Sequence, residues 1–199
     1  MDYPRSIHTT YQDACSLSPI CFTTDTDTYP QAYSYQVNLY IEIDQAFIDN
    51  HGSLEDALDY INILVAGASA IFESEIDTHL HVSHVHKTNR YDAASSTSEA
   101  LEIMRDAFAG STWHDGNINL HHALLGHRLG GGIAYVGALC NPNFGFGLSA
   151  NLEGNFASLD ASALWDLTVF AHELGEPPKL FPCRSSDDLQ GKSFGLSII

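Results

Sequence analysis

The stretch "WDLTVFAHELGEPPKLFPC", Trp165 to Cys183, decides how this chain is read. As far as Gly175 it is a nearly apolar helix carrying the pair His172-Glu173, and Pro177-Pro178 then disfavours any continuation. A His-Glu pair inside such a helix is costly to bury unless something satisfies it. Metal ligation is one solution: residues four apart share a helix face, so His172 and Glu176 can reach one ion while Glu173 leans toward its bound water. The plainer alternative is a hydrogen-bonded core histidine with a solvated glutamate beside it.

Working outward, the segments before this helix alternate between strand and helix patterns. "YSYQVNLYIEID" sets Tyr35, Val37, Leu39 and Ile41 against polar neighbours, as a half-buried strand does. "SLEDALDYINILVAGASAIFESEI" opens on Ser53 as N-cap, with acidic residues in its first turn, and continues at helical spacing. "THLHVSHVHKT" reads as a second strand whose parity slips near Ser83-His84. One β-bulge there puts Leu80, Val82 and Val85 on the core face and His79, His81, His84 and His86 on the other. "STSEALEIMRDAFAG" is an amphipathic helix with a capping box at Ser96 and Glu99, ending at Gly110. "NINLHHALLGHRLGGGIAYVGALC" gives a strand, a glycine turn and a strand through Ile133, Tyr135 and Ala138; "FGFGLSANLEG" gives one more short strand. The fold class expected is therefore α/β, a layered domain with a mixed, mostly parallel twisted sheet, an antiparallel edge strand and three long helices.

Composition narrows the function classes. With 44% hydrophobic and 11% aromatic residues, the 199-residue chain can bury a sizeable core. Its net charge of -17, from 8 basic against 25 acidic side chains, argues against nucleic acid or an anionic membrane as partner. It has no run of about eighteen apolar residues, so no membrane span is expected. The N-terminus lacks the basic start and apolar stretch of a signal peptide, which suits a cytosolic protein or a piece of a longer one. Cys15 and Cys21 can close a small ring in an oxidising compartment, and no C-x-x-C pairing points to a cysteine metal site.

"GGGIAYVGALCNPNFGFGLSANLEG", Gly130 to Gly154, followed by "WDLTVFAHELG", resembles the catalytic domain of the reprolysin or adamalysin branch of the metzincin zinc endopeptidases. In that family an "AYVG" strand ending in Cys, a G-x-G strand and an "AHELGH" helix follow in this order. The resemblance covers roughly residues 33 to 175, which makes 34-175 a catalytic domain followed by an atypical tail at 176-199, while 1-33, rich in Thr, Ser, Asp, Tyr and Pro with no apolar period, reads as an irregular leader. It implies Zn2+ as cofactor, His172 as first zinc ligand and Glu173 as the general base that takes a proton from zinc-bound water. It further implies a protein or peptide substrate lying antiparallel to an edge strand through Gly132, Ile133, Ala134, Tyr135, Val136 and Gly137. A secreted or extracellular setting follows from the same likeness, as does a disulfide from Cys140 to a cysteine beyond the helix, for which Cys183 is the downstream candidate.

The family pattern H-E-x-x-H-x-x-G-x-x-H then breaks off. Positions 176, 179 and 182 hold Glu176, Lys179 and Pro182, no histidine follows His172, and both methionines lie upstream. One imidazole and one carboxylate fall short of the three protein ligands of a catalytic zinc. The tail after Gly175 shows no periodic pattern, as a shifted reading frame or wrongly joined exon would give, so impaired activity is expected. Two other classes stay open: a non-catalytic protease-like domain that binds peptides, and a histidine-rich metal-binding protein. For the latter, the strand histidines together with His121, His122 and His127 form a candidate metal surface, or else ordinary polar positions on a half-exposed sheet.

Overall fold

The computed structural model describes residues 33-109, 118-158, 160-175 and 195-198, all within one compact unit, Tyr33–Ile199. Among the described residues six strands and four helices follow in the order β1 (Tyr35–Ile43), α1 (Gln45–His51), α2 (Leu54–Ile76), β2 (Thr78–Lys87), α3 (Thr97–Phe108), β3 (Leu120–Leu124), β4 (Gly132–Val136), β5 (Phe146–Ser149), α4 (Ala161–Gly175) and β6 (Gly195–Ile198). The sheet order is β2-β1-β3-β5-β4-β6. The first four strands in that order run parallel, β4 is antiparallel to β5, and β6 is antiparallel to β4. This is the expected mixed, mostly parallel α/β sheet.

Local chemistry sets the elements. Ser53 caps α2 by accepting the Asp56 N–H at 3.1 Å, and Ser96 caps α3 by accepting that of Glu99 at 3.2 Å. The return bond of the second capping box shifts by one residue, since the Glu99 carboxylate takes the Ser95 N–H and hydroxyl instead. The bulge in β2 falls at Ser83: Leu39 pairs with Val82 and Tyr40 with His84, so Leu80, Val82 and Val85 share the face of Val37, Leu39 and Ile41. His79 departs from the expected row, for its ring meets the Ser69 hydroxyl and the Glu73 carboxylate of α2.

The centre of the sheet, β3 and β5, is buried on both sides, while β2 stays partly exposed. On one face Leu39, Ile41, Ile43 and Leu124 pack with Ile61, Leu64 and Phe72 of α2 and Phe170 of α4. On the other, Ala123, Leu125, Phe146 and Leu148 pack with Leu101 and Met104 of α3 and with Tyr91. All five residues of β3, "LHHAL", are consequently buried, which corrects the expectation of half-exposed positions for His121 and His122, whereas the β2 histidines are half-buried or exposed as expected.

Helix α1 goes beyond the three long helices expected, since seven residues are too few to show a period. It is fixed by Asp44, whose carboxylate accepts the Phe47 N–H at 2.7 Å and the Gly126 N–H at 3.0 Å and meets the His127 ring at 2.8 Å. A Cβ on Gly126 would lie 2.3 Å from the backbone of Ala46 and Phe47, so only glycine permits this contact. Among the described residues no helix is long and apolar enough to cross a membrane.

Candidate active site

Helix α4 starts where the Asp160 carboxylate accepts the Ala163 N–H at 2.8 Å, a bond that also holds that carboxyl below its usual range. Its buried face is Ala163, Asp166, Val169, Phe170, Glu173 and Leu174, a three-and-four spacing that lays the helix along β4 and β5 and against α2. Two glycines let it approach closely. A Cβ on Gly154 would fall 2.4 Å from Ala163 Cα, and one on Gly67 of α2 would meet Leu167 Cδ1 at 3.2 Å.

This packing buries Glu173 and leaves His172, one position earlier, partly exposed. The Glu173 side chain lies directly over the first residue of β4: a Cβ on Gly132 would stand 2.5 Å from its Cγ and 2.7 Å from its Oε1. The residue expected to act as base and the strand expected to hold substrate are thus brought into contact. The plainer alternative of a solvated Glu173 does not hold, because only 2% of the residue is accessible.

On the same sheet face, beneath Phe170, lies a neutral histidine. His122 is fully buried, bonds the Ser149 hydroxyl through Nε2 at 3.0 Å and meets the Phe170 ring edge-on at 5.2 Å. Burial, with a further contribution from the charge of adjacent His121, brings its pKa down to about 3. Ser149 in turn pairs with Gly132 across β5 and β4, so His122 and Glu173 are linked through neighbouring strands. Gly147 makes the room: a Cβ there would sit 3.0 Å from His122 Nδ1.

Nearer the helix start Asp166 is buried too, its Oδ2 accepting the Tyr60 hydroxyl at 2.6 Å and the Gly154 N–H at 2.9 Å. Burial raises its pKa in spite of those bonds, and it raises that of Tyr60 as well, with Asp166 adding to the effect.

The opposite face holds Glu42, which takes a hydrogen bond from Tyr91, an ion pair from Arg90 at 3.1 Å and a contact with His121 Nε2 at 3.4 Å. Burial pushes the Glu42 pKa up, but His121, Arg90 and Tyr91 outweigh it and hold the carboxyl below its usual range. Tyr40 beside it is pushed up to about 12 by burial and by the charge of Glu42.

Gly132, Ile133, Ala134, Tyr135 and Val136 form β4, but Gly137 does not, because its φ of 71° ends the strand in a turn. Nor is β4 at the sheet edge: β6 covers its outer side, giving the tail a regular element that its sequence pattern did not announce. His122 points to the opposite face of β3 from His121 and His127 is taken by Asp44; His121 shares the face of His81, His84 and His86 but is engaged by Glu42 and Tyr40. Among the described residues no three His, Cys, Asp or Glu side chains gather to hold a metal ion. Of the zinc set, the described residues therefore supply His172 alone, which does not fit a catalytic zinc; Glu176, the leader and the Cys15–Cys21 ring lie outside the described residues. Cys140 is disulfide-bonded.

Two features of this site are not legible in the local pattern: there Gly132 reads as a strand residue and not as the bed of Glu173, and His122 reads as a candidate surface ligand. The small residues Gly132, Ala134, Gly147 and Ser149 share a parity facing α4, and this was the available signal.

The Reprolysin_5 family model, described as metallo-peptidase family M12, matches residues 33–175. The chain belongs to metallo-peptidase family M12. Its M12 region ends with α4, at the residue where the His-Glu motif breaks off. No curated protein matches the chain. Among solved structures, a chaperone-substrate complex is similar to it with a TM-score of 0.53 and 15% identity, over 72% of this chain and 23% of that one. Metalloproteinase-II from Bacteroides fragilis gives a TM-score of 0.45 and 14% identity, over 73% of this chain and 42% of that one. This M12 chain thus spans less than half the length of either.

Proposed function

We propose that this chain is a zinc metalloendopeptidase domain with its general base in place and its metal centre incomplete. The observation that carries the reading is Glu173, buried in the M12 helix and resting on Gly132 of β4. A carboxylate fixed by helix packing beside a strand that presents its backbone to an extended peptide is where a base for peptide hydrolysis belongs. His172 is the first zinc ligand on this reading. Glu176, Lys179 and Pro182 stand where the pattern has His, Gly and His, so zinc is held weakly and internal peptide bonds are cut slowly or not at all. The substrate is a protein or peptide. The disulfide at Cys140 supports an oxidising, secreted setting.

The test is zinc content per chain beside the hydrolysis rate of an unfolded protein, with Glu173→Gln as control. Little zinc and no rate above the control are expected. One tightly held zinc with chelator-sensitive cleavage that vanishes in the control would overturn the impairment.

A non-catalytic peptide-binding role is favoured by a separate observation, that β4 already carries an extended segment on its outer side.

A further inference from the structure

That segment belongs to the chain's own tail. Gly195–Ile198 pairs antiparallel with β4 over four consecutive residues: Ile198 with Ile133, Ser197 with Ala134, Leu196 with Tyr135 and Gly195 with Val136. An extended peptide joining a free strand edge takes the same kind of place, with main-chain hydrogen bonds for affinity. We propose that Gly195–Ile198 is a tethered occupant of the β4 edge, an intramolecular inhibitor that an incoming peptide must displace. This rests on reading β4 as the peptide-accepting strand.

Two properties of the sequence support it. Unpaired strand edges are normally guarded by charge, proline or a bulge, and "GIAYV", Gly132 to Val136, has no charged residue and no proline. Such an edge calls for a covering strand. The occupant suits it: "SFGLSII", Ser193 to Ile199, is also free of charge and proline, in a chain of net charge -17. Tethering makes this pairing intramolecular, so a competing peptide faces an effective concentration that can reach the order of millimolar. The contact is also shallow. It is the outermost strand, four residues long and bonded to β4 alone, so it can leave without disturbing the parallel strands.

The test compares the full chain with its Leu196→Pro/Ser197→Pro variant, since adjacent prolines remove two N–H groups from β6 whichever way the ladder alternates. Two quantities are read: hydrogen exchange of the Ile133–Val136 amides, and binding of a labelled peptide of sequence KSFGLSII by fluorescence anisotropy. Protection at Leu39–Ile43 reports that the fold is intact, and if the double variant loses it, Leu196→Pro and Ser197→Pro are measured singly, since one of the two removes an N–H that faces β4. The expected result is exchange at β4 faster by about tenfold or more, with peptide binding tighter by a similar factor.

Unchanged exchange would show that the tail does not cover β4, and protection that falls on dilution would place a second copy's tail there; either overturns the proposal. Equal peptide binding by both chains also overturns it while leaving β4 as a peptide-accepting strand. Faster exchange with no peptide binding in either chain removes both this proposal and that reading of β4. Zinc content and hydrolysis, measured separately, are unaffected by these outcomes.

Discussion

Replacing Gly132 with alanine tests whether Glu173 is held by the strand beneath it. The new methyl carbon would lie 2.5 Å from Glu173 Cγ, 2.7 Å from Oε1 and 2.8 Å from Cδ, all inside van der Waals contact. Gly132 is not among the residues of positive φ, so alanine adds no backbone strain and the collision is the whole cost. Glu173 is 2% exposed and cannot swing clear without α4 lifting from β4. Overpacking of this kind costs about 1–3 kcal/mol, and at roughly 2–4 °C per kcal/mol for a domain of this size the melting temperature should drop by several degrees. The decisive assay is a double-mutant cycle in urea. Glu173→Ala removes the atoms the methyl would strike, so Gly132→Ala should be far less destabilising in its presence, with a coupling of at least about 1 kcal/mol. Additive effects within about 0.5 kcal/mol would refute the contact, and with it the account of how Glu173 is positioned.

Restoring the missing pattern with Glu176→His, Lys179→Gly and Pro182→His should raise zinc stoichiometry toward one per chain and produce proteolysis that Glu173→Gln abolishes; a chain so changed that still takes up no zinc would count against the M12 chemistry proposed. His122 sets an acid limit: it is neutral in the fold down to about 3 and protonates near its ordinary 6.5 when unfolded, so between those values the unfolded chain binds the extra proton. Stability should therefore fall as pH drops through that window, by up to about tenfold in the folding constant per pH unit, and His122→Asn should flatten the slope measured by urea titration at several pH values. Asp166 acts in the opposite sense: its raised pKa means the folded chain binds more protons, so its contribution to stability declines as pH rises from its ordinary 3.8 toward the folded value. Asp166→Asn should remove that decline, and an unchanged profile would contradict the assignment. Tyr91→Phe takes a buried hydrogen bond from Glu42 and should cost about 1–3 kcal/mol, read as a lower urea midpoint with unchanged slope.

Local signals carried much of the fold in the sequence itself. The caps at Ser53 and Ser96, the alternation through Val37, Leu39 and Ile41 and the parity slip at Ser83 depend on residues a few positions apart, where period and hydrogen-bonding chemistry are enough. The departure from the family's H-E-x-x-H-x-x-G-x-x-H pattern after Gly175 is likewise visible in the sequence alone. What it left open depends on contacts between distant segments. That β3 is buried on both faces follows from α3 covering the side opposite α4, so His121 and His122 meet different surroundings although they are adjacent in the chain. That Glu173 is buried follows from Gly132, forty-one positions earlier, having no side chain. And whether β4 is an edge was decided by Gly195–Ile198, since strand pairing is made by main-chain groups that every residue carries and that leave no mark in the side-chain pattern.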